Sequence, residues 1–264
     1  MKILISVVVA FVAIFAISSV SYGDELTDMD IFAVAGAFYE DGNYEEAART
    51  YQHLVGLGYE DPTLFYNLAN SYYKSDDLGR AILNYLRAKR FAPFDEDIAA
   101  NLEFVRQQLD SPNSRESATP VFVQLSEFVP WVTFNQAAIA TLVSWLVAGV
   151  LAALYIWGGR FRTSMTVSRL AAVAVLCIFI FGSITIGKHM DRLHWERIAV
   201  VTAESAGVYH GPRESLDPRF SLDAGSEVRL IDRRGRWSKI GILDTGVEGW
   251  VESASVEGVL APGG

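Results

Sequence analysis

The sequence predicts a multidomain α plus β protein. An α-helical array of stacked helix–turn–helix units comes first, then a two-helix apolar hairpin, then a small all-β barrel, along 264 residues. Three observations predict this order. Apolar residues between positions 31 and 85 recur with a period of about 34 residues. Two long stretches in the middle of the chain are almost free of charge. Beyond residue 197 the apolar pattern shortens to alternation, broken by turns rich in Gly and Asp.

Residues 1–23 read as a secretory signal. Lys2 is their one charge, the run from Ile3 to Ile17 is apolar, and Ser21-Tyr22-Gly23 places small residues where a signal peptidase reads. An uncleaved signal anchor is the plainer alternative, and either one exports the segment that follows. Residues 24–110 carry the repeat. Phe65, Leu68, Ala69 and Tyr72 match Ile31, Val34, Ala35 and Phe38, while Leu78, Ala81 and Tyr85 match Tyr44, Ala47 and Tyr51. Helices are expected over 28–40, 44–57, 62–74, 78–89 and 94–109, divided at Asp41-Gly42-Asn43, Gly58, Ser75-Asp76-Asp77 and Ala92-Pro93. Asn101-Leu102 opens a third unit at the spacing of Asn67-Leu68, but the polar Ser111-Pro112-Asn113-Ser114 stands where its second helix belongs. Such arrays need about three units for stability, so a partner protein, self-association or the membrane surface is expected to cover the open flank. From Asp24 to Thr133 nineteen acidic residues face eight basic ones, which concentrates the net charge of −9 here. An acidic surface disfavours nucleic acid, so no nucleic-acid partner is expected.

Residues 111–133 link the repeats to the apolar stretches 134–157 and 167–187. The first holds no charge and the second only Arg169. Each is long enough to cross a bilayer core of about 30 Å as a helix. Trp131, Tyr155 and Trp157 sit near the ends of the first, where aromatic rings favour the interface. A buried hairpin inside a soluble core is the competing reading. The loop 158–166 is short, so the two helices are antiparallel. Arg160, Arg162 and Arg169 flank that loop, whereas 121–133 has no basic residue. The positive-inside rule then puts the loop in the cytoplasm, although Lys188, Arg192 and Arg197 weaken the asymmetry. Cys177, the sole cysteine, falls within the second stretch and reads as a packing residue.

Residues 188–264 make the third unit. Val228, Leu230 and Ile231 lead to a turn at Arg233-Arg234-Gly235-Arg236, and two further alternating runs contain Trp237 and Trp250. Trp250 is expected in the core. Trp237, with Arg233, Arg234 and Arg236, is the candidate surface of this unit. Arg229 and Lys239 extend the basic cluster, and Asp232 opposes it. A solvated hairpin tip is the ordinary explanation; contact with anionic headgroups or with the acidic repeats is the functional one. His53, His189, His194 and His210 are scattered, and neither a phosphate-binding glycine loop nor a nucleophile elbow is present. No catalytic residue, metal or cofactor is therefore expected, and the chain reads as non-enzymatic.

The segment from Phe65 through Tyr85, closed by Pro93, resembles the tetratricopeptide repeat family, over about two and a half units. The resemblance implies that Ala35, Ala47, Ala69 and Ala81 let helices pack closely and that the first helix of each unit lines a concave groove. That groove would present Phe32, Tyr39, Tyr66, Asn67, Asn70, Tyr73 and Lys74 to an apolar peptide or helix. Members with a carboxylate clamp need Lys, Asn and Arg at positions held here by Phe32, Gly36, Ala100 and Phe104, with only Asn67 retained, so no clamp is expected. The run from Gly225-Ser226-Glu227-Val228 to Gly249-Trp250-Val251 resembles the bacterial SH3-like domain, departing from it at Val208-Tyr209-His210-Gly211-Pro212. The whole layout is similar to the BatE family of bacterial aerotolerance operon proteins. That resemblance implies a membrane-anchored scaffold of the inner membrane with both soluble domains on the periplasmic or extracellular side. The implied partners are von Willebrand factor A-type membrane proteins and a MoxR-type ATPase. A cell-wall sensor, with the barrel binding peptidoglycan, is the alternative.

Overall fold

Helix caps and small residues set the first half of the chain, which we describe from a computed structural model. It describes residues 28–109, 121–127, 129, 132–157, 165–213, 217–243 and 245–260. The expected secretory signal, most of the polar linker and most of the arginine-bearing loop lie outside these residues. Five helices follow one another: α1 (Asp28–Glu40), α2 (Tyr44–Gly56), α3 (Pro62–Lys74), α4 (Leu78–Phe91) and α5 (Glu96–Gln108). The Asp61 carboxylate accepts from the amides of Thr63 and Leu64, Asp77 from Arg80 and Asp95 from Asp97 and Ile98, so three of the five starts are side-chain capped. Ala35, Ala47, Ala69 and Ala81 are fully buried where neighbouring helices meet. Each helix packs on the one before it, and the connections are short, so successive helices run antiparallel.

A short helix α6 (Val121–Glu127) precedes two long ones, α7 (Phe134–Trp157) and α8 (Met165–Glu196). Both are long and apolar enough to cross a membrane, and they pack side by side with most of their large apolar side chains exposed. Thr141 and Thr185 meet across the pair at 3.4 Å. Helix α6 lies against α8 so closely that a Cβ on Gly187 would fall 2.0 Å from the Phe122 carbonyl oxygen. The second helix does not stop where its charge-poor stretch ends at Gly187. It continues through Glu196, because Lys188, Asp191, Arg192 and Glu196 are compatible with helix and the Arg192–Glu196 pair closes at 2.9 Å. Only Arg197 separates it from the first strand.

Seven antiparallel strands complete the chain: β1 (Ile198–Val201), β2 (Ser205–Val208), β3 (Phe220–Asp223), β4 (Glu227–Arg234), β5 (Trp237–Ile242), β6 (Glu248–Glu252) and β7 (Val256–Gly258). Their sheet orders are β6-β5-β4-β1-β7 and β2-β3. Reciprocal backbone bonds between Tyr209 and Trp250, at 2.8 and 2.9 Å, tie the two sheets together. Val201, Val208, Val228, Ile240 and Val251 fill the interior.

The repeats and the strands share a core. Ala69, Ile82, Leu86, Leu102 and Val105 cluster with Ile198, Val200 and Val259, and Trp195 of α8 packs on the same cluster. The flank of α4 and α5 thus packs against the chain's own β-domain. Nothing in the local sequence announces this, because the covering residues are more than ninety positions away.

Candidate functional site

Two faces of α5 serve different purposes. One joins the β-domain. The Arg106 guanidinium donates to both carboxylate oxygens of Glu227, at 2.7 and 3.0 Å, with the two side chains 12% and 6% exposed. On α4, Arg87 donates to Glu257 at 2.7 Å and to the carbonyls of Gly258 and Val259 at 3.1 Å. Gly79 stands so near β1 that a Cβ there would lie 2.7 Å from the Val201 carbonyl oxygen. These contacts bring α4 flush against the sheet edge.

The other face of α5, with α3, carries most of the expected groove. The Tyr66 hydroxyl accepts from the Asn101 amide at 2.9 Å, and its ring meets Tyr85 edge-on. Asn70 accepts from the Tyr85 hydroxyl and from Asn101 at 3.4 Å. Tyr73 accepts from Gln108 at 3.0 Å and abuts Phe104, which is 53% exposed. Lys74 is exposed with its ammonium 6.0 Å from the Tyr73 ring centre. Asn67 lies beside the Tyr51 hydroxyl. On α1, Phe32 and Tyr39 are half-buried, packed edge-on against Tyr51 and Tyr44 respectively. Tyr66, Asn70 and Tyr73 are therefore joined in one surface, whereas Phe32 and Tyr39 are partly spent on packing within the first pair of helices. Burial pushes the hydroxyls of Tyr39, Tyr51 and Tyr85 up from their ordinary value, so each stays protonated well above neutral pH.

Sequence reasoning did not place Asn101, Phe104 and Gln108 against Tyr66 and Tyr73. The period itself was the available signal: Asn101 and Gln108 reach partners 35 positions earlier. It missed Arg87 and Arg106 because their partners are 170 and 121 positions distant.

The basic hairpin sits elsewhere. Arg233, Arg234 and Arg236 are exposed around the β4–β5 turn. Asp232 pairs with Arg234 at 2.8 Å and accepts from the Arg233 amide; these hydrogen bonds, that to Arg234 foremost, hold its carboxyl below the usual range. Trp237, expected at the surface, is instead 5% exposed, with its ring edge-on to Tyr209. Trp237 shares the β5 face of Lys239, opposite the face that carries the core residue Ile240, and Tyr209 packs on its indole there, so it offers no open stacking platform. Trp250 is buried beneath the Arg234 guanidinium. A cleft of about 610 Å³ opens between α2, α4 and β7, but the charges lining it are paired among themselves, as in Arg49–Glu45, Arg80–Asp77 and Arg87–Glu257. Among the described residues no group of three or more His, Cys, Asp or Glu side chains is placed to hold a metal ion.

No protein-family model matches the chain, and no curated protein matches it either.

Proposed function

We propose that the chain is a non-enzymatic, membrane-anchored scaffold that grips another envelope protein through the α3–α5 groove. The five helices read as tetratricopeptide-like repeats and the strands as an SH3-like cap. The observation that carries this is the division of labour on α5. Its Arg106 side is locked onto the β-domain, while Phe104, Asn101 and Gln108 stand with Tyr66, Asn70 and Tyr73 on another face. Exposed aromatic surface beside fixed amides suits an apolar peptide or helix whose backbone needs donors and acceptors. The apolar hairpin holds this surface beside a bilayer, and the charge pattern around it favours an exported location at the bacterial inner membrane. The likeness of layout to aerotolerance-operon proteins suggests partners among von Willebrand factor A-type membrane proteins and a MoxR-type ATPase. The wall-polymer reading is not adopted, because burial of Trp237 removes the aromatic platform on which it leaned.

A photo-cross-linker placed at Phe104 in intact cells tests the reading. Capture of a defined protein, lost when Tyr73→Asp and Asn101→Asp are introduced, is the expected result. Capture of lipid alone, or the same product from a probe at the exposed Arg49, overturns it.

A further inference from the structure

We infer that the β4–β5 hairpin rests on the membrane surface and binds anionic phospholipid headgroups. The inference rests on α7 and α8 crossing the bilayer, and it follows from direction. Helix α4 runs alongside β1 and the end of α8: Gly79 lies against Val201, and Arg90, in the last turn of α4, is within Coulombic reach of Asp191. Strand β1 therefore continues roughly along the line of α8, away from the apolar hairpin. Strand β4 is antiparallel to β1, with Arg229 opposite Ile198, and the Leu230 amide donates to the Arg197 carbonyl at 2.6 Å. Everything in β4 beyond Leu230 pairs with β5 and runs back past the start of β1, toward the side from which α8 arrives. Leu230 to Arg234 covers about 13 Å at the rise of a strand. Lys188 to Glu196 covers about 12 Å at the rise of a helix. The tip is thus level with Lys188, where the apolar stretch of α8 ends.

What the tip presents there is positive charge with an apolar neighbour. Arg229, Arg233, Arg234 and Arg236 are exposed, Asp232 is the one acid among them, and Ile231, at the register shift in β4, is 44% exposed. The acidic residues at the same end, Asp95, Glu96 and Asp97, stand on the repeat side, at the start of α5. The hairpin is therefore the element that an anionic surface attracts, over a range of about 8 Å at physiological ionic strength.

The test uses the full chain in proteoliposomes. A fluorophore is attached at Ile231→Cys in a Cys177→Ser background, and headgroup-labelled quencher lipids report contact. Quenching is expected to be about threefold or more greater in phosphatidylglycerol-containing vesicles than in phosphatidylcholine alone. Arg233→Glu with Arg236→Glu is expected to abolish that difference, and a label at Asp41→Cys, at the far end of the repeats, to show none. Equal quenching in both lipids, or quenching no greater than at Asp41→Cys, overturns the inference. So does a label response in phosphatidylcholine vesicles that inorganic phosphate alone reproduces, since the hairpin would then bind a free anion. Alkaline washing separates the two ideas. A chain that resists extraction but shows no lipid-dependent quenching sinks only the hairpin contact, whereas extraction of the chain sinks the membrane-spanning reading and the inference with it.

Discussion

Arg106 and Gly79 show how few atoms fix the relation between the two soluble parts. Removing Arg106 leaves the Glu227 carboxylate buried without its partner, a change that typically costs about 3–5 kcal/mol. Arg106→Ala should therefore lower the unfolding midpoint steeply, while Arg106→Met combined with Glu227→Met should restore much of it. Urea titration followed by tryptophan fluorescence reads both, and equal losses in the single and double variants would contradict the account. Gly79→Ala places a methyl group against the Val201 carbonyl and should destabilise by about 1–3 kcal/mol through overpacking. Tyr85 gives a prediction with a definite pH sign. Its phenol is raised above 10.0, mainly by burial, so the folded state keeps the proton that the unfolded state releases. Stability should be insensitive to this group below pH 10 and should fall as pH rises above it. Tyr85→Phe should flatten that alkaline slope, at a loss of about 1 kcal/mol from the bond to Asn70.

At the scale of elements, the helices were the most legible part of the chain. Four of the five repeat helices begin where Asp, Asn or Pro signals place them, and the ends differ by a residue or two because local pattern does not decide that Gly56 and Phe91 are the last helical residues of α2 and α4. The charge-poor stretches likewise mark α7 and α8, but the end of α8 was not readable from composition: a helix continues through charged residues as easily as through apolar ones. Trp237 was misplaced because it is covered on the non-core face of its strand by Tyr209, a residue 28 positions earlier that alternation along β5 does not reveal. The α6–α8 contact yields its own prediction. Gly187→Val must push α6 off α8, since the new side chain would occupy the Phe122 backbone. Accessibility of Ser126→Cys to a water-soluble maleimide, in a chain lacking Cys177, should rise from protected to reactive, and continued protection would show that α6 tolerates the added bulk.

For the whole molecule, the chief feature hidden from the sequence is that residues 28–109 and 198–260 form one folded body at one end of the apolar hairpin. The repeats looked too few because the cap that completes them is β-structure from the other end of the chain, and neither half carries a local mark of the pairing. Cleaving the chain between Trp157 and Met165 should therefore leave the two halves associated through the shared core. A chain ending before Ile198 should bind a hydrophobic dye and unfold without a cooperative transition. Cooperative unfolding of that truncated chain would mean the helices are self-sufficient.

The shared core also sets a schedule for biosynthesis. Synthesis runs from α1 onward, so Leu86 and Leu102 leave the ribosome well before Ile198, Val200 and Val259 exist to cover them. At about 5–20 residues per second that interval is roughly ten to thirty seconds. Ribosome-bound chains arrested ahead of Ile198 should accordingly recruit a holding chaperone at the α4–α5 flank, and chains released past Leu260 should shed it.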